Sequence, residues 1–180
     1  MVSTGCASTN TITAVLSAWQ DGLPVIFLSG QNFLNEATSY KKKNIRTYGQ
    51  QEADIIKIVK PITKYSKMIT NPKQIKYELD KALFFANDKI KGPVWLDIPL
   101  DIQNSRLEEK KLKSFSKNYK IPRCSTASID KIFSEIKFSK RPAVIIGSGV
   151  KNAKCINKFK KFVNKYRIPV VYTSSGSDIL

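Results

Sequence analysis

The residues able to do chemistry in this chain are few, and their types already narrow it. There is no histidine, and the three cysteines, Cys6, Cys124 and Cys155, stand far apart. Zinc-ligand spacing is therefore impossible. An odd, scattered set of thiols suits reduced cysteines in a cytosolic protein rather than a disulfide scaffold. What remains is two small-residue turns, Gly5-Cys6-Ala7 and Gly147-Ser148-Gly149, and some amides, Asn10, Gln31 and Gln51 among them. A glycine turn lets backbone pass close to a ligand or to another backbone. It is also an ordinary strand-to-helix turn, and Asn10 alone reads equally as a residue bonding a helix start.

These residues sit between elements that the sequence marks clearly. Residues 25–28, 93–98, 143–146 and 169–173 are short apolar runs without polar alternation, as expected of strands covered on both faces. Helical spacing fills the intervals. Residues 8–19 open with Ser, Thr and Asn and place Ile12, Val15, Leu16 and Trp19 on one stripe. Asn71-Pro72 starts a helix whose inner face is Ile75, Leu79, Ala82, Leu83 and Ala86. Residues 128–138 and 152–166 are two more, the second with Ile156, Phe159 and Val163 inward. Alternation of this kind predicts a parallel α/β sheet with right-handed crossovers.

Residues 104–126 break the pattern, being polar, rich in Lys and Glu, and without a sustained period. They read as a linker. The expected organisation is thus a first domain over residues 1–103, a linker over 104–126 and a second α/β domain beginning at 127. Both domains read as incomplete, because residue 2 looks like the tail of a strand and the second unit offers only two strands.

Composition excludes several classes. In a chain of 180 residues, 42% are hydrophobic and 25% charged, ordinary values for a globular protein. No apolar run approaches the roughly 18 residues of a membrane-spanning helix, and the N-terminus lacks the pattern of a secretory signal. The net charge of +17 invites nucleic-acid binding. However, only five of the 31 basic residues are Arg, the residue that reads phosphates and bases bidentately. A lysine-covered surface is the simpler reading, so no nucleic acid and no membrane are expected as partners.

The motifs carry a resemblance. Ser3-Thr-Gly-Cys-Ala-Ser-Thr-Asn10, a helix, and then Asp21-Gly-Leu-Pro-Val-Ile-Phe-Leu-Ser-Gly-Gln31 resemble the first domain of thiamine diphosphate enzymes, the acetolactate synthase-like group above all. Gln51-Glu52, Pro61-Ile-Thr-Lys64 and Gly92-Pro-Val-Trp-Leu-Asp-Ile-Pro99 with Asp101-Ile-Gln103 follow in the family's order. Arg141-Pro-Ala-Val-Ile-Ile-Gly-Ser-Gly149 and Ile168-Pro-Val-Val171 resemble the opening of its central domain. The implied fold is part of a three-layer, parallel-sheet thiamine diphosphate-binding domain (its pyrimidine-binding portion), then the start of a Rossmann-like α/β domain.

The resemblance also implies a chemistry, which belongs mainly to the cofactor: decarboxylation of a 2-keto acid such as pyruvate, and joining of the carbanion to a second carbonyl. Gly5, Cys6 and Ala7 occupy the family's Gly-Pro-Gly turn beside the pyrimidine ring, with Asn10 following. Gln31 and Gln51 fall near the reacting centre, where an amide can bond substrate oxygens. Gln51 reads equally as the first residue of a helix. Where the family has Phe before this Gln, the chain has Gln50. The activating Glu of the family lies upstream of residue 3 and the Mg²⁺-diphosphate motif lies in a third domain. The sequence is therefore expected to be a slice of a longer, homo-oligomeric enzyme, inactive alone and holding no metal ligands itself. Gly147, Ser148 and Gly149, with Thr173–Gly176, match the turns that bind FAD in acetolactate synthases, while Ile90 stands where the flavin-contacting Arg would be. The other expectations are a non-catalytic product of a truncated or split gene, and a different thiamine diphosphate-dependent decarboxylase.

Overall fold

A computed structural model describes residues 1–41, 44–117 and 124–179. The chain forms two compact units, Met1–Lys117 and Asn118–Leu180. In the first, the elements run α1 (Cys6–Thr9), α2 (Ile12–Gln20), β1 (Ile26–Gln31), α3 (Thr38–Lys41), α4 (Ile55–Val59), β2 (Tyr65–Met68), α5 (Ile75–Asn87), β3 (Val94–Pro99) and α6 (Leu100–Gln103). The second contains α7 (Thr126–Phe138), β4 (Val144–Ile146), α8 (Gly149–Asn152), α9 (Ile156–Tyr166) and β5 (Val170–Tyr172).

The first sheet has the order β1-β3-β2 with every pair parallel. Strand alternation sends neighbouring side chains of β3 to opposite faces. Val94 and Leu96 join Leu34, Ile69, Ala82, Ala86 and Ile102 under α5. Trp95 joins Val15, Ile55 and Val59 under α2 and α4. Helices thus cover both faces, giving the three layers expected of this fold class. Phe27 of β1 stacks on Trp95 with ring centroids 5.3 Å apart. Among the described residues, no helix is long and apolar enough to cross a membrane.

Three local expectations are corrected. Residues 8–19 are not one helix. The Thr9 hydroxyl bonds the Cys6 carbonyl and the Thr11 hydroxyl bonds that of Ser8, and such side-chain bonds compete with helix continuation. The helix restarts at Ile12 with Val15 and Ala18 buried, while Leu16 and Trp19 face outward. Leu83 of α5 is likewise exposed, and Glu78 occupies the buried face instead. The helix expected over 152–166 starts only at Ile156, Asn152 being the last residue of α8.

The strand β2 was not legible as one, because Tyr-Ser-Lys-Met has no apolar run. It forms through Glu78, which accepts from the Tyr65 hydroxyl and pairs with Lys67 Nζ. Burial alone would raise the Glu78 carboxyl, but Lys67 and Tyr65 outweigh it and hold its pKa below the usual value. Glu78→Ala should lower the unfolding free energy by about 2 kcal/mol, less than for a fully buried pair because Lys67 remains 38% exposed. A shifted urea midpoint would show it.

The residues after α6 pack onto the first unit as far as Lys117. The Phe115 ring meets Tyr77 and Phe84 of α5, and its N–H donates to Asp80. Residues 118–123 of the expected linker lie outside the described residues. In the second unit β4 and β5 pair in parallel, and Phe133, Phe162 and Tyr166 cluster between α7 and α9.

Candidate functional site

The site is built where the first turn meets the loop before α4. Gly5 has φ +47°, a conformation other residues rarely adopt. Its Cα lies so near the Gln51 carbonyl that a Cβ would stand 1.4 Å from that oxygen. The Cys6 N–H donates to the same oxygen at 3.2 Å. Gly5 is buried, Cys6 exposed and Ala7 half-buried, so the turn opens to solvent on the side of Cys6.

Gln51 itself is left-handed, φ +57°, with its side chain exposed. A residue with a Cβ held at positive φ stores about 1 kcal/mol of strain. Four contacts around it hold that conformation. Asn32 Nδ2 donates to the Gln50 carbonyl at 2.7 Å. Gln31 Nε2 donates to the Ala53 carbonyl at 3.0 Å. The Gly49 N–H reaches the Glu36 carbonyl at 3.2 Å. The buried Glu52 carboxylate accepts from the Thr38 N–H and hydroxyl. Helix α4 is capped by Asp54, whose carboxylate accepts from the Lys57 N–H. Gln51 is therefore not the helix-capping residue.

The other residues singled out in the sequence fall differently. Gln31 is 2% exposed, and its amide is engaged by Ala53, Asp97 and the Asn32 N–H. Its amide bonds support the loop, and the residue also lines the cavity beside the end of β1. Asn10 is exposed at the C-terminal end of α1, not at a helix start. In the second unit, Gly147 is explained by the Thr173 hydroxyl, 3.2 Å from where its Cβ would lie. Gly149 opens α8 with nothing within 4 Å of that position. Among the described residues, no cluster of three or more His, Cys, Asp or Glu could hold a metal ion.

Sequence reasoning missed Asp97. It is 1% exposed and accepts from the Ser29 hydroxyl and from Gln31 Nε2. Burial pushes its carboxyl up to about 7, against the pull of those two donors and with Asp54 and Glu52 adding to the rise. The available signal was alternation: Phe27, Ser29 and Gln31 share one face of β1, and Trp95 and Asp97 the same face of β3, so polar residues end two otherwise apolar runs. A cavity of about 410 Å³ also opens beside the end of β1, bounded by Thr4, Gly30, Asn32 and Gln103 among others.

Comparisons with known proteins agree with the motif reading. The family model "Thiamine pyrophosphate enzyme, N-terminal TPP binding domain" matches residues 1–58, and "Thiamine pyrophosphate enzyme, central domain" matches residues 129–180. The acetolactate synthase large subunit of Lactococcus lactis is 30% identical, over 98% of this chain and 30% of that protein. The mitochondrial acetolactate synthase of Schizosaccharomyces pombe is 31% identical, over 98% of this chain and 27% of its own length. The isozyme 3 large subunit of Escherichia coli is 31% identical, over 98% and 30% respectively. The chain thus spans about 30% of the length of these relatives.

Proposed function

The chain belongs to the thiamine pyrophosphate enzyme family, in its acetolactate synthase-like branch, and from that premise we propose that it contributes the turn and amide of a carboligase active site. The reaction is decarboxylation of a 2-keto acid such as pyruvate, followed by addition to a second carbonyl. When bound, thiamine diphosphate supplies the electron sink that lets the 2-keto acid lose carbon dioxide.

This chain's own part is positional. Gly5, Cys6 and Ala7 let backbone approach the pyrimidine ring, and the Gln51 amide donates to an oxygen of the substrate. The observation that carries the reading is the exposed Gln51 side chain on a left-handed residue clamped from both sides. Strain maintained by surrounding bonds is characteristic of functional positions. Homo-oligomeric assembly and Mg²⁺ dependence belong to the same reading. The Gly147-Ser148-Gly149 turn as a flavin contact has support at one position, Gly149, where no atom of the described residues lies within 4 Å of an added Cβ.

Two variants of the full-length enzyme test the role of Gln51. Gln51→Ala should lower kcat/KM about ten- to a hundredfold, the loss of one hydrogen bond of roughly 1–3 kcal/mol. Gln51→Gly should lower it equally while raising stability by about 1 kcal/mol, because glycine accepts φ +57° without strain. Unchanged kinetics in folded, cofactor-saturated protein would remove Gln51 from the site.

A further inference from the structure

A line of hydrogen bonds runs from the buried layer between the sheet and its helices to the loop that carries Gln51. Trp95 Nε1–H donates to Ser29 Oγ at 2.8 Å, and the Ser29 hydroxyl donates to Asp97 Oδ1 across the register pair of β1 and β3. Asp97 Oδ2 accepts from Gln31 Nε2 at 3.1 Å. The other N–H of that amide donates to the Ala53 carbonyl at 3.0 Å. The Gln31 oxygen accepts from the Asn32 N–H at 3.0 Å, and Asn32 Nδ2 donates to the Gln50 carbonyl at 2.7 Å. Gln51 is thus bracketed, at Gln50 and at Ala53, by two consecutive residues at the end of β1.

The chemistry of the amide makes Asp97 decisive. A glutamine side chain can turn over and exchange its oxygen for its NH₂. Asp97 Oδ2 offers only an acceptor, so the NH₂ must face it, and the second N–H then faces Ala53. The reverse orientation would set the Gln31 oxygen against two other oxygens and release the loop.

We infer that Asp97 and Gln31 are positioning residues for Gln51. The carboxylate sets the orientation of the Gln31 amide, and that amide holds the Ala53 carbonyl and with it the left-handed turn. The inference rests on the reading of Gln51 as the substrate-facing amide.

The test uses the full-length enzyme with Gln31→Met, which keeps length and removes the donors, together with Asp97→Ala, Asp97→Asn and the double variant Gln31→Met/Asp97→Ala. Amide hydrogen exchange is read at Cys6, whose N–H bonds the Gln51 carbonyl, and at Glu52, whose N–H bonds that of Gly49. The Lys64 amide, bonded to the Pro93 carbonyl at the other end of β3, reports general opening. Gln31→Met and Asp97→Ala should each raise exchange at Cys6 and Glu52 at least tenfold, leave Lys64 unchanged, and lower kcat more than they raise KM. Asp97→Asn should rescue in part, since its oxygen can face Gln31 if its NH₂ turns to Ser29. The double variant should be no worse than either single one, as for residues acting through one connection. Parental exchange in Gln31→Met, or additive effects in the double variant, would overturn the inference. Should Asp97→Ala fail to fold, Gln31→Met carries the test alone. Faster loop exchange in Gln31→Met with unchanged turnover in Gln51→Ala would instead overturn the role given to Gln51 and leave the connection standing.

Discussion

Alanine at position 5 should lower stability by about 3 kcal/mol and abolish the geometry of the loop before α4. Two effects add. At φ +47° an alanine is strained by about 1 kcal/mol. The larger effect is steric, because the new methyl would lie 1.4 Å from the Gln51 carbonyl oxygen and 2.5 Å from its carbon. Those are backbone atoms, fixed by the bonds to Gln50 and Ala53, so they cannot swing aside as a lysine tip would. Relief requires moving the loop, which breaks the Cys6-to-Gln51 bond and turns the Gln51 side chain away. Urea unfolding and thiamine diphosphate affinity measure the two consequences. Gly149→Ala is the control: nothing lies within 4 Å of its added methyl, so stability should change by less than about 0.5 kcal/mol. Equal stability for Gly5→Ala and the parent would exclude the close approach.

The same glycine shows what a sequence discloses and what it withholds. A small residue was legible at position 5, and the resemblance implies that it admits a cofactor. In the folded chain the first group admitted is the protein's own carbonyl from residue 51. No spacing rule reveals this, because the two positions meet only through the fold. The strands β1 and β3 were legible because their apolar runs pack toward helices on both faces, fully buried in β3 and half-buried in β1, and the Asn71 cap was legible because its chemistry is local. Its side chain does accept from the Lys73 N–H. The strand β2 was not, since its polar residues become strand only when Glu78 of α5 satisfies them. Gln31 was singled out by its place in the motif, but its bonds were not legible: a buried amide turned to Asp97 and Ala53. The choice left open at Gln51, helix start or site, needed Asp54 to be seen capping α4.

Asp97 gives the largest expected dependence of stability on pH. Its carboxyl titrates near 7 in the folded protein, first because it is buried, against about 3.9 in an unfolded chain. A folded pKa above the unfolded one means the folded state binds the proton more tightly. The stability from this group is therefore complete below pH 4, declines as pH rises between the two values, and is gone above about 7. At about 1.4 kcal/mol for each pH unit, the decline reaches at most about 4 kcal/mol. The proton fits Oδ1, because the Ser29 hydroxyl can turn to accept it, while Oδ2 keeps its bond from Gln31. Glu78 works in the opposite sense: held low by Lys67 and Tyr65, it supports the fold above the ordinary glutamate range and fails as pH falls. The first unit should accordingly be most stable near pH 4 to 5. Both tryptophans, Trp19 and Trp95, lie in that unit, so fluorescence-detected urea unfolding follows it. The parent should lose several kcal/mol between pH 4.5 and 7.5, and Asp97→Asn, which cannot ionise, should lose far less. A parent whose stability is level or rises across that interval would show that Asp97 ionises at little cost and is reached by water.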